Sequence, residues 1–452
     1  MDREKDLQMV RQIAELVREA GGCTYYVGGC VRDSILNRES KDIDLEIHGI
    51  CPEQLEQILE TLGEPVTIGS SFGIMGLRHY DLDIAMPRKD EKGSRGGRDF
   101  YDVVDPFVGT EKAARRRDLT MNALMQDVLT GEIVDHFGGV SDLKNGIIRH
   151  VDDATFAEDP LRVLRAAQFA ARFRFRVAEE TIQLSRKLDL SDIPRERIWG
   201  ELEKVLMKSE KPSVFWQVLR EMDQLDYWFP ELKALIDVRQ NPVYHAEGDV
   251  WTHTMMVLDE AAKLRHRAAN PYWFMLSAVT HDFGKAVCTE EKDGVLHAYQ
   301  HEVKGLPLIE AFLRRITSET KLIEYVLNLS EYHMKPNTVA SARSAVKVTT
   351  RMFDQSVDPE GLICLALADD RGRITQAPAT DHEAFLYERM AIFRELMSRP
   401  YVMGRDLIEA GLKPGVEFTE ILEHAHKLRL AGVPKESALK QTLAYARKLY
   451  DQ

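Results

Sequence analysis

Between Asp42 and Ile47 the chain alternates acid and aliphatic residue without interruption, Asp-Ile-Asp-Leu-Glu-Ile. A period of two belongs to an extended strand, which puts Asp42, Asp44 and Glu46 on one face and Ile43, Leu45 and Ile47 on the other. The aliphatic face demands a core, and three aligned acids repel one another unless positive charge faces them. A divalent cation with phosphate is the obvious counter-charge. The stretch Tyr80–Met86 repeats the pattern, with Asp81 and Asp83 on one side and Leu82, Ile84 and Met86 on the other.

Magnesium is held by one or two carboxylates together with substrate phosphates, and a pair of such ions can clamp both oxygens of a phosphoryl displacement. Asp42 and Asp44, two apart on one strand, could bridge both ions, and Asp83 is a candidate third acid. Upstream, Gly28-Gly29 permits close backbone approach to a triphosphate, and Arg32 follows at the start of a predicted helix, where anions are favoured. A bare Asp-x-Asp is most often a solvated strand edge. Its combination with Gly-Gly-x-Val-Arg-Asp makes that bland reading a poor fit.

At 452 residues the chain should form two to four domains. Its net charge of −13 argues against binding nucleic acid over the whole surface, but not in a local basic cleft. Cys23, Cys30, Cys51, Cys288 and Cys364 lack metal-site spacing and read as reduced core residues of a cytoplasmic protein. The N-terminal segment reads as an amphipathic helix with Leu7, Val10, Ile13, Ala14 and Val17 on one side, stopped by Gly21-Gly22. It has no signal-peptide core, and no run approaches a membrane span.

Strand signals are confined to the part before about residue 147. Residues 88–118 form a charged, glycine-bearing segment of the kind used for lids or left disordered. From about 150 onward the patterns are helical. The expected fold is α+β, an α/β head followed by an all-helical body.

The ordered set GGCVRD, KDIDLE, RRRDLTMNAL, AEDPLRVLRAAQFAARF and ERIWGELEK, covering roughly residues 22 to 235, resembles the class II tRNA nucleotidyltransferases (CCA-adding enzymes) and their bacterial poly(A) polymerase relatives. The resemblance implies a polymerase-β-like nucleotidyltransferase head with Asp42 and Asp44 as Mg²⁺ ligands. Gly29 and Arg32 would contact the triphosphate, and Arg117 with Asp118 would support ribose and phosphate. Asp83 falls where the family places a third acid, and activation of the RNA 3′-hydroxyl falls either to it or to the metal.

The helix predicted after Pro160 offers a means of choosing bases. Arg162, Arg165 and Gln168 recur every three residues and share a face. Residues 161–178 carry five arginines and no acid. Cytosine and adenine each present an amine donor beside a ring-nitrogen acceptor, the reverse of uracil and guanine. An acceptor at Asp159 beside a donor at Arg162 therefore suits C and A, and a buried polar pair left unmatched rejects the wrong base. Many members of the family carry a further arginine where this chain has Gln168. A neutral amide cannot supply the same charge, so the contact is weaker or Arg172 replaces it.

Further along, His253, His281-Asp282, His301, His333 and Asp369 form a set whose imidazoles and carboxylates suit a hydrolytic transition-metal site. It resembles the HD phosphohydrolase domain carried by some bacterial CCA-adding enzymes. That resemblance implies one metal, such as Ni²⁺, Mn²⁺ or Fe²⁺, on His253, His281, Asp282 and Asp369. His301 and His333 would complete a second, with Lys285 facing an anionic substrate. A degenerate fold acting as a spacer is the alternative.

The expected organisation is a nucleotidyltransferase head over 1–147 and a helical neck over 148–235. An HD domain over 245–375 and an RNA-contacting helical tail over 376–452 follow. The expected activity is addition of CCA to the tRNA 3′ end from CTP and ATP, plus a phosphatase or 2′,3′-cyclic phosphodiesterase; neither DNA nor membrane is an expected partner. Alternatives are a poly(A) polymerase or a CC- or A-only enzyme, and a metal-dependent phosphohydrolase whose head merely binds RNA.

Overall fold

The computed structural model of the protein describes residues 3–39, 42–68, 74–92, 100–375 and 382–450. The chain divides into two compact units. The first comprises residues 1–193 and 214–224, the second residues 194–213 and 225–452.

The first unit is built on a seven-stranded sheet. Its strands are β1 (Cys23–Val27), β2 (Asp44–His48), β3 (Pro65–Ile68), β4 (Ile74–Leu77) and β5 (Asp83–Ala85), with β8 (Met125–Asp127) and β9 (Ile133–Val134). The hairpin β6 (Arg88–Lys92) and β7 (Phe100–Val104) lies between them in the chain and pairs only with itself. The sheet order is β3-β4-β5-β2-β1-β8-β9, and β2 and β5 run parallel with Asp44 opposite Asp83.

The aliphatic sides of the two acidic segments are where the alternation puts them. Ile43, Leu45, Ile47, Leu82, Ile84 and Met86 are buried in one core with Val10, Ile13 and Val17 of the helix Arg3–Glu19 and Leu55 and Leu59 of Pro52–Leu62. Leu7 does not join this face; it is exposed, and Met9 and Asp6 are buried instead. The charged segment predicted as a lid or disorder contains the hairpin β6–β7 and the helix Thr110–Arg115. The hairpin's turn, residues 93–99, lies outside the described residues.

Strands do not end at residue 150. β10 (Ile147–Ile148) pairs in parallel with β11 (Arg176–Val177), and in the second unit β12 (Glu290–Lys292) pairs with β13 (Val295–His297). The second hairpin turns at Asp293 and Gly294, both with positive φ, which is the Asp-Gly signature of a two-residue turn. Its strands are three residues each, too short for their alternation to stand out.

The second unit is otherwise helical. Pro271–Thr280 is apolar nearly all round and accordingly buried, packing against Thr320–Tyr332 and Val250–Leu264, which in turn packs on Pro359–Arg371. This helix ends at Thr280, so His281-Asp282 lies in the turn beyond it rather than inside a helix. Gly404–Glu409, Phe418–Leu430 and Lys435–Tyr450 close over their own small core around Leu407, Ile421 and Ala446. The five cysteines are free, but only Cys288 and Cys364 are buried, so the expectation of core thiols holds for two. Among the described residues, no helix is long and apolar enough to cross a membrane.

One glycine fixes a backbone crossing. A Cβ on Gly284 would lie 2.0 Å from the carbonyl oxygen of His301 and 2.8 Å from the amide of Gly305. Neither atom can rotate away. Gly284→Ala is expected to lower the stability of this unit by at least roughly 1–3 kcal/mol, read from the urea midpoint of its unfolding.

Candidate functional sites

In the first unit the strand register brings the acids together. Asp44 and Asp83 sit opposite each other on neighbouring strands, which run about 4.8 Å apart. Asp42 immediately precedes β2. Burial and the nearby Asp83 raise the Asp44 carboxyl above its usual range, with Arg117 and Arg32 pulling the other way and Asp42 adding to the rise. Asp83 is raised by burial and by Asp42 and Asp81. Carboxylates that resist ionisation because they are partly buried and lie close to one another are an all-oxygen donor set suited to a hard divalent cation.

The third acid of the alternation has a different fate. Glu46 is buried and held by protein donors, with Arg117 2.8 Å from one oxygen and His48 2.9 Å from the other. Burial raises its carboxyl, but those partners outweigh burial and hold it below the usual range. Glu46 therefore anchors Arg117 at the edge of the acid cluster. A Cβ at Gly28, whose φ is +65°, would lie 3.8 Å from the Arg117 guanidinium, so the glycine turn and this arginine are neighbours.

Arg32 was expected at the triphosphate, yet it is buried. It donates to Asp33 at 2.8 Å and to Asn122 at 2.7 Å, and its guanidinium lies over the rings of Phe169 and Phe173. It pins the glycine turn to the helix Leu161–Phe173 and acts on Asp44 as a fixed positive charge. Gly29 opens the helix Gly29–Ile35, and a Cβ there would be 3.6 Å from Arg32. Asp118 is buried, accepts from Asn122 at 3.0 Å and pairs with Arg165 at 2.7 Å. Burial raises its carboxyl, and Arg165, Asn122 and the Leu119 amide together outweigh burial and hold it below the usual range.

Asp159 and Arg162 flank Pro160 as expected, Arg162 in the first turn of the helix. Asp159 accepts from the Leu161 amide at 3.2 Å. The terminal nitrogens of Arg162 are directed at main-chain carbonyls, those of Thr155 at 2.5 Å and Arg116 at 2.8 Å, rather than into open space. Gln168 is buried, and among the described residues its amide nitrogen has no hydrogen-bond partner. It stands inside the core, where a charged arginine would need a counter-charge. Arg172 lies 4.0 Å from Asp33 and over the Phe173 ring, half-exposed.

The second unit gathers every predicted histidine and aspartate into one buried cluster. His253 projects from Val250–Leu264 and Asp369 from Pro359–Arg371; His281, Asp282 and His333 follow helix ends, and His301 starts a short helix. Nδ1 of His281, His301 and His333 lies 2.9, 2.9 and 2.6 Å from the carbonyl oxygens of Ala278, Ala298 and Ser330, each three residues back. A carbonyl can only accept, so each Nδ1 carries a proton and each Nε2 faces the cluster.

His253, His281 and Asp369 form one potential ligand triad, and Asp282, His301 and His333 a second. Asp282 joins them. One oxygen lies 3.3 Å from His281 Nε2 and 3.6 Å from His253 Nε2, the other 3.2 Å from His301 Nε2. Asp282 is thus shared between the triads rather than belonging wholly to the first. Burial raises its carboxyl, and Lys285 at 2.7 Å and His281 overcome this and hold it well below the usual range. His281 Nε2 is buried with no hydrogen-bond partner among the described residues, an orphaned lone pair that a metal would satisfy. The mixed imidazole–carboxylate set fits a transition metal.

Glu247 was missed, because one acid in a predicted loop carries no periodic signal. One oxygen accepts from His253 Nδ1 at 3.0 Å and His245 Nδ1 at 2.8 Å, the other from the Ile374 amide at 2.8 Å. Burial raises its carboxyl, but these hydrogen bonds, that from His253 foremost, hold it at about 2. Such a carboxylate behind a ligating imidazole fixes the ring's orientation and tautomer. Glu247→Gln is expected to weaken metal binding about 10–100-fold, measured by competition with a chromophoric chelator. Asn122, Asp33 and the rings of Phe169 and Phe173 were missed likewise; the first two lie inside the motifs GGCVRD and RRRDLTMNAL, which pointed to their neighbours.

A sheet bearing clustered acids beside a glycine turn, continued into an arginine-rich helix, defines a nucleotidyltransferase head. A family model described as "Poly A polymerase head domain" matches residues 24–149, and one described as "Probable RNA and SrmB-binding site of polymerase A" matches 174–236. The Multifunctional CCA protein of Actinobacillus pleuropneumoniae serotype 5b is 35% identical over 339 residues, spanning 72% of this chain and 80% of its own. That of Mannheimia succiniciproducens is 37% identical over 385 residues, spanning 81% and 88%. This chain belongs to that family, the CCA-adding enzymes. In fold it is similar to a CCA-adding enzyme solved in an apo form, with a TM-score of 0.69 at 22% identity over 98% of this chain and 96% of that one. It is similar also to the Thermotoga maritima CCA-adding enzyme complexed with tRNA, with a TM-score of 0.65 at 21% identity over 99% and 96%.

Proposed function

We propose that this protein builds the CCA terminus of tRNA from CTP and ATP without a nucleic-acid template. The observation that carries the proposal is the register of β2 on β5, which sets Asp44 opposite Asp83 with Asp42 adjoining, in a chain of this family. Asp42 and Asp44 would hold Mg²⁺, with Asp83 as the third acid. When bound, the ion supplies positive charge to the triphosphate and to the leaving pyrophosphate.

The chain's own groups do the rest. Gly28 and Gly29 let the triphosphate approach the backbone, Arg117 stands at the cluster's edge on Glu46, and Arg32 supplies charge from behind. Asp83, exposed and with its carboxyl raised, is suited to accept the proton of the attacking RNA 3′-hydroxyl. Asp159 and Arg162 read the amine-and-acceptor edge shared by C and A. Arg162 spends two of its five N–H donors on main-chain carbonyls, which fixes its plane and leaves the others for the base. Arg165, held on Asp118, and the buried Gln168 support this helix from the side and from within.

We further propose that the histidine–aspartate cluster is an HD-type hydrolytic centre with Ni²⁺, Mn²⁺ or Fe²⁺, acting as a phosphatase or 2′,3′-cyclic phosphodiesterase. The inward-facing imidazole nitrogens and the shared Asp282 favour it over a spacer. A head over 1–147, a neck over 148–235, an HD domain over 245–375 and a tail over 376–452, acting in the cytoplasm, complete the reading. Residues 376–381 lie outside the described residues.

The test is product length. With tRNA lacking its 3′ end, CTP and ATP together are expected to add three nucleotides and then stop, and CTP alone two. Unlimited A-tailing, or a stop at CC or at A alone with both substrates present, overturns CCA addition in favour of a poly(A), CC-only or A-only enzyme.

A further inference from the structure

Three guanidiniums share one buried ring. Arg32, Arg38 and Arg172 lie 4.9, 5.0 and 5.1 Å from the centroid of Phe173, which is itself stacked on Phe169 with planes 2° from parallel. Like charges this close repel one another, and an aromatic ring offsets only part of that. Among the described residues Asp33 is the one carboxylate paired with them, 2.8 Å from Arg32 and 4.0 Å from Arg172. One acid against three arginines leaves the group with an excess of positive charge.

The local backbone puts Arg38 there. Asn37 has a φ of +52°, a left-handed conformation that asparagine tolerates, and the Arg38 amide donates to the Asp33 carbonyl at 2.8 Å. The helix Gly29–Ile35 ends on this turn, and the next residue folds back beside it. Arg38 is exposed, and among the described residues its guanidinium joins no ion pair. Arg172, in the last turn of Leu161–Phe173, keeps 31% of its side chain exposed. Burial foremost, with Arg32 and Arg38, pulls its guanidinium below the ordinary value, while Asp33 and Asp42 oppose this. Asp42 is one of the acids assigned to Mg²⁺, so the arginines adjoin that site. A triphosphate on the glycine turn does not account for them. Gly28 and Gly29 stand at the N-terminal end of Gly29–Ile35 and Arg38 beyond its C-terminal end, a helix length of about 10 Å away.

We propose that Arg38 and Arg172 form a seat for one backbone phosphodiester of the acceptor RNA, close to its 3′ end. The planar forks of both side chains match phosphate oxygens. Arg32 and Asp33 stay bonded to each other beneath the seat and hold Arg172 in place. A phosphate contact fixes position without reading sequence. That suits an acceptor whose terminal base changes with each addition, since the chain end is held by a charge common to every nucleotide. The proposal rests on reading the head as a tRNA nucleotidyltransferase, and it assigns residues that hold the RNA rather than the incoming nucleotide.

The experiment compares incorporation kinetics of the full-length wild type with Arg38→Gln, Arg172→Gln and Arg38→Lys. The acceptors are tRNA lacking its 3′ end and the same tRNA with a neutral methylphosphonate at each of its last three linkages in turn. Either glutamine variant is expected to raise KM for tRNA about tenfold and leave KM for CTP unchanged, which also reports an intact head. Arg38→Lys keeps the charge and is expected to restore most of the tRNA affinity. In the wild type one neutral linkage should cost a similar factor, and in Arg38→Gln that same linkage should cost nothing further. A raised KM for CTP with that for tRNA unmoved puts the triphosphate at these arginines and overturns the seat. Equal KM for tRNA in the wild type and both glutamine variants overturns it as well. A wild type that adds a different tail, with the tRNA differences intact, overturns only the CCA reading.

Discussion

Asp42→Ala combined with Asp44→Ala is expected to abolish incorporation of both CTP and ATP, by more than about 10³-fold, while hydrolysis of a 2′,3′-cyclic phosphate persists. Of the three acids assigned to the ion, the double substitution leaves only Asp83, too few oxygens to hold a cation against a triphosphate. Stability supplies a second, independent readout. Asp44 and Asp83 have raised folded-state carboxyls, so each binds protons more tightly folded than unfolded. Their contribution to stability falls as pH rises from the unfolded value through the folded one, and at neutral pH the ionised pair is a net cost. The metal-free double variant should therefore melt no lower than the wild type. Mg²⁺ with CTP should raise the wild-type melting temperature and leave that of the variant unmoved. Retained incorporation would remove these acids from the site.

Asp282→Asn is expected to do the reverse. Hydrolysis should fall by more than about 10³-fold and metal content drop toward zero, with nucleotide incorporation unchanged. Both oxygens of Asp282 face imidazole nitrogens of the two triads, so the carboxylate serves both at once. An asparagine of the same volume replaces one acceptor with a donor and removes the charge that pairs with Lys285. Elemental analysis of the purified variant separates loss of metal from loss of chemistry. A variant that keeps its metal and its hydrolytic rate would show that the triads do not act through Asp282.

The sequence determined which residues could cluster, because strand period and local motif are local facts. The alternation from Asp42 to Ile47 set Asp42 and Asp44 on one face, and the Asp81–Met86 repeat did the same for Asp83. The His281-Asp282 dipeptide and the histidines grouped with it marked a second centre by resemblance. Partnership was another matter, since a side chain meets whatever the fold brings, and that can be a residue 71 positions away, as with Glu46 and Arg117. Only the tertiary structure decided that Glu46 is spent on Arg117 and His48, that Arg32 is buried against Asn122 and two phenylalanine rings, and that Arg162 is tied to carbonyls. It alone made Asp282 the link between two triads and set Glu247 behind His253. Periodicity reports which way a residue points, whereas the charge it faces depends on contacts between segments far apart in the chain.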